Sequence, residues 1–260
     1  LILLMASNEF QPKLEWFESI PSTSALLLER AGKSNFHGTV ISAHHQTSGR
    51  GRRGRTWETG SGNLAFSIGF AVPEADAKFL AYFPLAAGIA VHKAIAEVLD
   101  AEAEKDLNLK WPNDLAWRGK KLMGLLSQAR TSDGVTYLSI GIGINIAWAP
   151  ENLPAISLYS MPLRKNFAVE RPSKEEVLNS LLEKISADYS KWRGFDFLRR
   201  EWESRAHYLG KRIFFGLLED EAGMEEGIAL GLDVSGALRV RLPGGETRLL
   251  ATEDLSLRLG

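Results

Sequence analysis

Cysteine is absent from the 260-residue chain, which excludes a disulfide scaffold and any thiolate metal site. Histidine is scarce. Of five, only His44 and His45 are adjacent, and neighbours on a strand point to opposite faces, so a paired-histidine metal site is not expected. An excess of either charge is also missing: 31 Lys and Arg against 32 Asp and Glu give a net charge of −1. A protein living on duplex DNA usually carries a basic excess, so any basic surface here is local. Long apolar runs are lacking too. Leu1-Ile2-Leu3-Leu4-Met5 is far too short to span a bilayer, and no basic region precedes it as in a signal peptide. It reads as a strand or a mis-assigned start, and the chain as cytoplasmic. What is present, 45% hydrophobic and 24% charged residues, fits an ordinary soluble enzyme with one large domain and a small one.

One stretch organises the rest. Gln46 to Trp57 reads Gln-Thr-Ser-Gly-Arg-Gly-Arg-Arg-Gly-Arg-Thr-Trp, with Arg50, Arg52, Arg53 and Arg55 set among Gly49, Gly51 and Gly54. Glycine lets the backbone approach a ligand closely. The guanidinium groups repel one another and suit phosphate oxygens. Alone, the stretch is either a flexible clamp that orders around a phosphorylated compound or a basic loop gripping nucleic acid. Gly49-x-Gly51-x-x-Gly54 also fits a dinucleotide fingerprint, and Gly49 to Thr56 a P-loop with Arg55 in the lysine position. Both require a helix directly afterwards. Instead a turn follows, then Asn63 to Phe70, where Leu64, Phe66, Ile68 and Phe70 alternate with smaller residues as in a strand. Both patterns are rejected.

Glu15 to Ile20 reads as a strand feeding Pro21-Ser22-Thr23-Ser24. One hydroxyl there suffices to cap a helix over Ala25 to Ala31; the others are left for a small polar ligand. Gly38 to Ala43 reads as a strand, and Pro84 to Leu99 as an amphipathic helix on which His92 is assigned no function. Leu107 to Trp111 is a short strand stopped by Pro112, with Asn113-Asp114 as a turn pair. Lys110 and Asp114 bracket that turn; lysine supplies charge for a phosphate and aspartate can hold Mg²⁺. Lys121 opens an apolar strand, Leu122 to Leu126, in which Gly124 marks a close approach. In the strand Val135 to Ile146, Gly141 and Gly143 share one face and leave it bare, a floor for an elongated ligand. Asn145 at its end reads a base edge or starts a turn.

Ala149 to Pro172 reads as an irregular connection. Ser173 to Glu176 forms a capping box opening a helix to about Trp192, and Phe195 to Ala206 is a second. Beyond Leu209 come five short strands, Arg212 to Leu217, Met224 to Leu232, Ala237 to Leu242, Glu246 to Ala251 and Leu255 to Leu259. Their spacing predicts a small barrel, marginal alone and docked on the larger unit.

The arginine loop, Lys110-Trp-Pro-Asn-Asp114, Lys121-Leu-Met-Gly124 and Gly141-Ile-Gly-Ile-Asn145, in this order and spacing, resemble the biotin protein ligases. The resemblance extends to Ser22-Thr23, to Ala155-Ile-Ser-Leu158 and to the carboxyl-terminal end. One departure is clear: the family usually has Asp-Ser-Thr-Asn where this chain has Pro21-Ser22-Thr23-Ser24. The resemblance implies an α+β fold, with a mixed sheet and flanking helices similar to class II aminoacyl-tRNA synthetase cores. It implies a catalytic unit over residues 1–208 and an SH3-like β-barrel over 209–260. With 21 residues ahead of Ser22, too few for a helix-turn-helix domain, the chain resembles the ligase-only members, which bind no specific DNA.

The activity so implied joins biotin to a lysine of a biotin carboxyl-carrier protein, with ATP, Mg²⁺ and a biotinyl-5′-AMP intermediate. By the resemblance, Arg50, Arg52 and Arg55 surround the biotin carboxylate and the phosphates, Lys121 binds the carboxylate, and Lys110 the α-phosphate. Asp114 positions Mg²⁺ or helps the incoming lysine. Ser22, Thr23 and Gln46 meet the ureido ring, with Gly49 in the same biotin-binding stretch. Trp57, Leu122, Gly124 and Gly143 line the apolar body and tail, and Asn145 meets adenine. Arg258 is a weak candidate ATP contact. A homodimer is compatible with the resemblance, and no membrane partner is expected. Two other readings stand beside this one, a lipoate–protein ligase of similar fold and a nucleic-acid binder using the Arg-Gly loop.

Overall fold

The structure, a computed structural model, describes residues 9–33, 35–216, 223–251 and 256–259. Leu1 to Met5, Leu217, Leu255 and the side chain of Arg258 lie outside the described residues. The chain opens with β1 (Lys13–Ile20), α1 (Thr23–Leu28) and β2 (Thr39–Gln46). β3 (Leu64–Pro73), α2 (Tyr82–Ala96), α3 (Ala101–Glu104), β4 (Leu107–Lys110), β5 (Asp114–Trp117), β6 (Lys120–Ser132) and β7 (Val135–Ile144) follow. After them come α4 (Lys165–Val169), α5 (Lys174–Asp188) and α6 (Phe195–Glu203), then β8 (Arg212–Gly216), β9 (Glu225–Leu232), β10 (Leu238–Arg241), β11 (Thr247–Leu250) and β12 (Ser256–Leu259).

β1 to β7 form one mixed seven-stranded sheet in the order β1-β2-β3-β7-β6-β5-β4. Only β1 and β2 run parallel, because α1 carries the chain back between them. The expected alternation in β3 decides how the sheet is used. Phe66, Ile68 and Phe70 are wholly buried in the main core with Phe83, Val91 and Ile95 of α2 and Leu178, Leu181 and Ile185 of α5. The small residues that alternate with them, Ser67, Gly69 and Ala71, face the other side. There Leu27 of α1 packs with Phe36, Ile41, Ala71 and Tyr137 in a second, smaller cluster. Bulk on one face and smallness on the other leave room for a cavity beside α1. The start of α5 follows the expected capping box: Ser173 N donates to Glu176 Oε2 (2.7 Å), and Glu176 N donates to Ser173 Oγ (3.2 Å).

Two differences from the sequence reading affect the site. Asp114 to Trp117 is a strand, where the sequence pointed only to a turn; the reversal of the chain is confined to Trp111, Pro112 and Asn113. β5 then returns into β6 through Arg118 (φ 47°) and Gly119 (φ 76°), two left-handed residues of the kind that close tight hairpins. In addition, β6 is bulged. Lys121 pairs with Ala116 and Met123 with Leu115, so Leu122 is the extra residue.

β8 to β12 form a separate five-stranded antiparallel sheet ordered β11-β10-β9-β8-β12. It docks on the larger layer as expected. Ile213, Phe215, Leu232, Leu238 and Val240 join the main core, Leu232 N donates to Glu203 Oε1 (2.9 Å), and Trp111 Nε1 donates to the Gly236 carbonyl (3.2 Å). Among the described residues, no helix is long and apolar enough to cross a membrane.

His92, assigned no function from the sequence, is a packed residue. Its Nε2 lies 3.4 Å from the Leu107 carbonyl. Burial, with a smaller push from the Arg205 charge, pulls its pKa from 6.5 to about 3. Between those values the unfolded chain takes up a proton that the folded chain refuses, so stability falls as pH drops through that window and is unaffected above it. At pH 4 the effect of this one group is about 3 kcal/mol. Urea unfolding of the wild type and of His92→Gln at pH 7 and pH 4 should show the gap between them shift by about that amount in favour of the variant at pH 4. A gap that does not move with pH contradicts the assignment.

Candidate active site

A cavity of about 630 Å³ opens on the α1 face of the larger sheet, within the range of pockets that enclose small-molecule ligands. Its wall brings together Ser22, Thr23, Gln46, Arg50, Arg52, Arg55, Trp57, Lys110, Asp114, Lys121, Gly124, Gly143 and Asn145. These lie far apart in sequence and meet because β2, β5, β6 and β7 end or begin at this side of the sheet. Two expected residues are not on the wall. Leu122 is wholly buried in the core, because the bulge at this residue changes the alternation and puts Lys121 and Gly124, three apart, on the cavity side together. Gly49 lines an adjoining basin behind the arginine loop, with the Trp57 carbonyl standing where a Cβ would be.

The sequence predicts an arginine loop that takes its order from a bound anion. The structure shows a loop already tied by its own backbone. Gly51 N donates to Arg55 O (2.7 Å), Arg55 N to Arg52 O (3.2 Å), and Trp57 N to Gly49 O (2.9 Å). Arg53 closes the turn at φ 57°, followed by Gly54 at φ 70°. Arg52 Nη1 donates to Asn113 Oδ1 (2.8 Å), and Asn113 Nδ2 donates to the Leu125 carbonyl (2.7 Å). The loop is thereby latched to the β4–β5 turn, while Arg50, Arg53 and Arg55 remain exposed.

Lys121 Nζ lies 2.7 Å from Asp114 Oδ1 as an ion pair and 5.8 Å from the centre of the Trp57 ring. Both side chains sit over Gly124: a Cβ there would come within 2.9 Å of Nζ and 3.1 Å of Trp57 Cζ3. Gly124 pairs with Gly143 on the next strand, and the Trp57 indole lies against Gly143 where any side chain would collide with it. Gly141 and Gly143, the two glycines whose spacing implied a bare face, both line the cavity, and Trp57 is seated on Gly143. Asn145 N is held by Leu122 O (2.9 Å), and its Nδ2 reaches Lys121 O (3.4 Å). Lys120, by contrast, is exposed and off the wall.

At the α1 end the hydroxyls are engaged, where the sequence reading left two of them free. Ser22 caps α1, its Oγ accepting from Ala25 N (3.4 Å). Thr23 N and Oγ1 both donate to Gln46 Oε1 (2.8 and 3.1 Å), and Thr23 Oγ1 lies 2.8 Å from Ser67 Oγ. Ser24 Oγ donates to Gln128 Oε1 (2.6 Å) and lies 3.2 Å from Ser139 Oγ.

Asp114 does not fit the role of a metal anchor. Its Oδ1 faces an ammonium group, and no group of three or more acidic or histidine side chains is placed to hold a cation among the described residues.

The model of the biotin/lipoate A/B protein ligase family matches residues 16–145, a span that runs from β1 through the arginine loop and the glycine floor to Asn145. The chain is 31% identical to the biotin–[acetyl-CoA-carboxylase] ligase of Mycobacterium tuberculosis, over 90% of this chain and 85% of that one. This chain belongs to the biotin/lipoate A/B protein ligase family. The corresponding ligase of Paracoccus denitrificans is also 31% identical, over 89% of this chain and 95% of that one. The biotin protein ligase of Aquifex aeolicus, solved in complex with biotin and ATP, superposes with a TM-score of 0.75 at 29% identity, covering 95% of this chain and 99% of that one.

Sequence reasoning missed one support of this ligase site. Asn63 is wholly buried, and its Oδ1 gathers Ile146 N, Ala147 N and Trp148 N at 3.0, 3.2 and 3.1 Å, while its Nδ2 donates to the Trp148 carbonyl (2.9 Å). It fastens the end of the arginine-loop segment to the stretch carrying Asn145. The available signal was its place after Gly60-Ser61-Gly62, where an amide side chain can organise a turn.

Proposed function

We propose that the protein is a biotin protein ligase, which activates biotin with ATP to biotinyl-5′-AMP and passes biotin to a lysine of a biotin carboxyl-carrier protein. The observation that carries this is the meeting, in one cavity, of the latched arginine loop, the Lys121–Asp114 pair and the Gly124–Gly143 floor. In the first step a biotin carboxylate oxygen attacks the α-phosphorus of ATP, the bond to the β-phosphate breaks, and pyrophosphate leaves. Two anions must come together, so positive charge fixed in advance is what lowers the barrier. Lys121, held by Asp114, supplies it at the carboxylate. Lys110 supplies it at the α-phosphate, and Arg50, Arg52 and Arg55 at the departing phosphates. Asn145 meets the adenine, and Thr23 and Gln46 the ureido ring. In the second step the carrier amine attacks the acyl carbon, AMP leaves, and the amine loses its proton.

Asp114 acts here as the group that orients Lys121. Mg²⁺ would be held chiefly by the phosphates of ATP, where it would supply further positive charge for the departing pyrophosphate. Residues 1–208 are read as the catalytic unit, similar to a class II synthetase core, and 209–260 as an SH3-like barrel. A cytoplasmic setting fits a reaction that consumes ATP.

Biotin-dependent ATP–pyrophosphate exchange by the purified protein tests the reading; exchange driven by lipoate and not by biotin replaces it. Shielding of this tied loop by its ligands has its own test. Trypsin should cut between Arg50 and Arg55 rapidly in the free protein, where three of the arginines are exposed. With biotin and ATP bound, cutting should slow. An unchanged rate at saturating ligand leaves the arginines as a static patch.

A further inference from the structure

Ser67 lies on β3, wholly buried, outside the cavity wall and under the one threonine that faces the proposed ureido end. The direction of its hydrogen bond follows from its neighbours. The atom of Gln46 facing Thr23 N at 2.8 Å must be the carbonyl oxygen, because a backbone N–H only donates. That orientation sends Gln46 Nε2 to Thr59 Oγ1 (3.2 Å). Gln46 Oε1 accepts only, so the single proton of Thr23 Oγ1 goes to it (3.1 Å). Of the two possible directions across the 2.8 Å contact, Ser67 to Thr23 is then the one that uses every proton. The reverse would leave a proton of a fully buried hydroxyl without an acceptor, which is unfavourable.

We infer that Ser67 is a positioning residue for substrate selection: by donating to Thr23 Oγ1 it fixes Thr23 as a proton donor to Gln46 and turns the remaining Thr23 lone pair on the ligand as an acceptor. That corner of the cavity then selects ligands that present an N–H. The neighbouring strand repeats the arrangement: wholly buried Ser139 lies under Ser24, whose proton goes to Gln128. Without Ser67, Thr23 can rotate its hydroxyl, and the distinction between an N–H and a bare or methylated nitrogen weakens. The inference rests on the biotin reading above and names the role of one residue within it.

Ser67→Ala tests it, with Ser67→Thr as the variant that keeps the hydroxyl and Ser67→Gly repeating the deletion should the alanine variant fail to fold. The ligands are biotin and its two analogues methylated at one or the other ureido nitrogen. The expected result for Ser67→Ala is a roughly three- to tenfold rise in biotin Kd and KM, as for one lost hydrogen bond, with kcat within about twofold. For one of the two methylated analogues the mutation should make no difference, since that ligand has already lost the N–H concerned. Ser67→Thr should bind biotin as the wild type does. Equal losses on biotin and both analogues overturn the inference, and so does unchanged biotin binding in Ser67→Ala. Failure of the wild type to bind biotin at all is a different result: it removes the reading beneath.

Discussion

Replacing Lys121 by alanine should lower biotin-dependent pyrophosphate exchange by on the order of 10²-fold or more, the usual loss when a preorganised charge donor is removed. The same replacement at Lys120 should change the rate only a few-fold. The contrast is severe because the two residues are adjacent and chemically identical. Lys121 Nζ is held between Asp114 and the Trp57 ring over Gly124, whereas Lys120 is exposed and off the cavity wall. If general positive potential were all the reaction needed, the two variants would fall together. Equal losses therefore reject the assignment. Asp114→Asn separates holding from charge: the ammonium stays, its orienting partner goes, and an intermediate loss is expected.

The second large effect concerns keeping the intermediate once it is made. Arg52→Gly removes the hydrogen bond from Nη1 to Asn113 and adds a glycine to a turn already bounded by Gly51 and Gly54. It thereby opens the latch and raises the entropy of the free loop, at roughly 1 kcal/mol per residue freed. A charge-assisted contact of this kind is worth roughly 1.5–3 kcal/mol. Biotinyl-AMP should therefore leave roughly 10- to 100-fold faster, while its formation, which depends on Lys121 and Lys110 as well, drops less. The released anhydride acylates any amine it meets. Incubation with biotin, ATP and an unrelated protein such as serum albumin should biotinylate albumin lysines with the variant and not with the wild type. A clean bystander combined with a normal exchange rate means that Arg52 does not retain the intermediate.

Features that depend on local chemistry were legible in the sequence. Four arginines among three glycines point to an anion wherever they sit, and glycines two apart must clear one face of a strand. The site residues gathered on the cavity wall come mostly from such stretches. Phase and partnership were less legible. Leu122 is a cavity residue only by the family resemblance, and one bulge puts it in the core. β5 is only four residues long, too short for a period to show. Ser67 and Asn63 do their work through atoms 44 and 85 positions away, a distance at which one sequence carries no pattern. The hydroxyls of Thr23 and Ser24 were visible as donors and acceptors, but their engagement by Gln46, Ser67, Gln128 and Ser139 follows only from the packing of α1 on the sheet.

Trp111 stands at the turn between Lys110 and Asp114. It hangs its indole N–H on the Gly236 carbonyl of the smaller sheet and its backbone N–H on the Tyr208 hydroxyl (3.0 Å). The two sheets are consequently not interchangeable parts. A chimera that kept the larger sheet and took its last fifty or so residues from another relative would have to bring a carbonyl to the same spot, or lose the anchor of the turn that carries Lys110 and Asp114. Recombination between such chains is constrained at a seam that borders the cavity itself, and variation at residue 111 should be tied to the backbone path around residue 236.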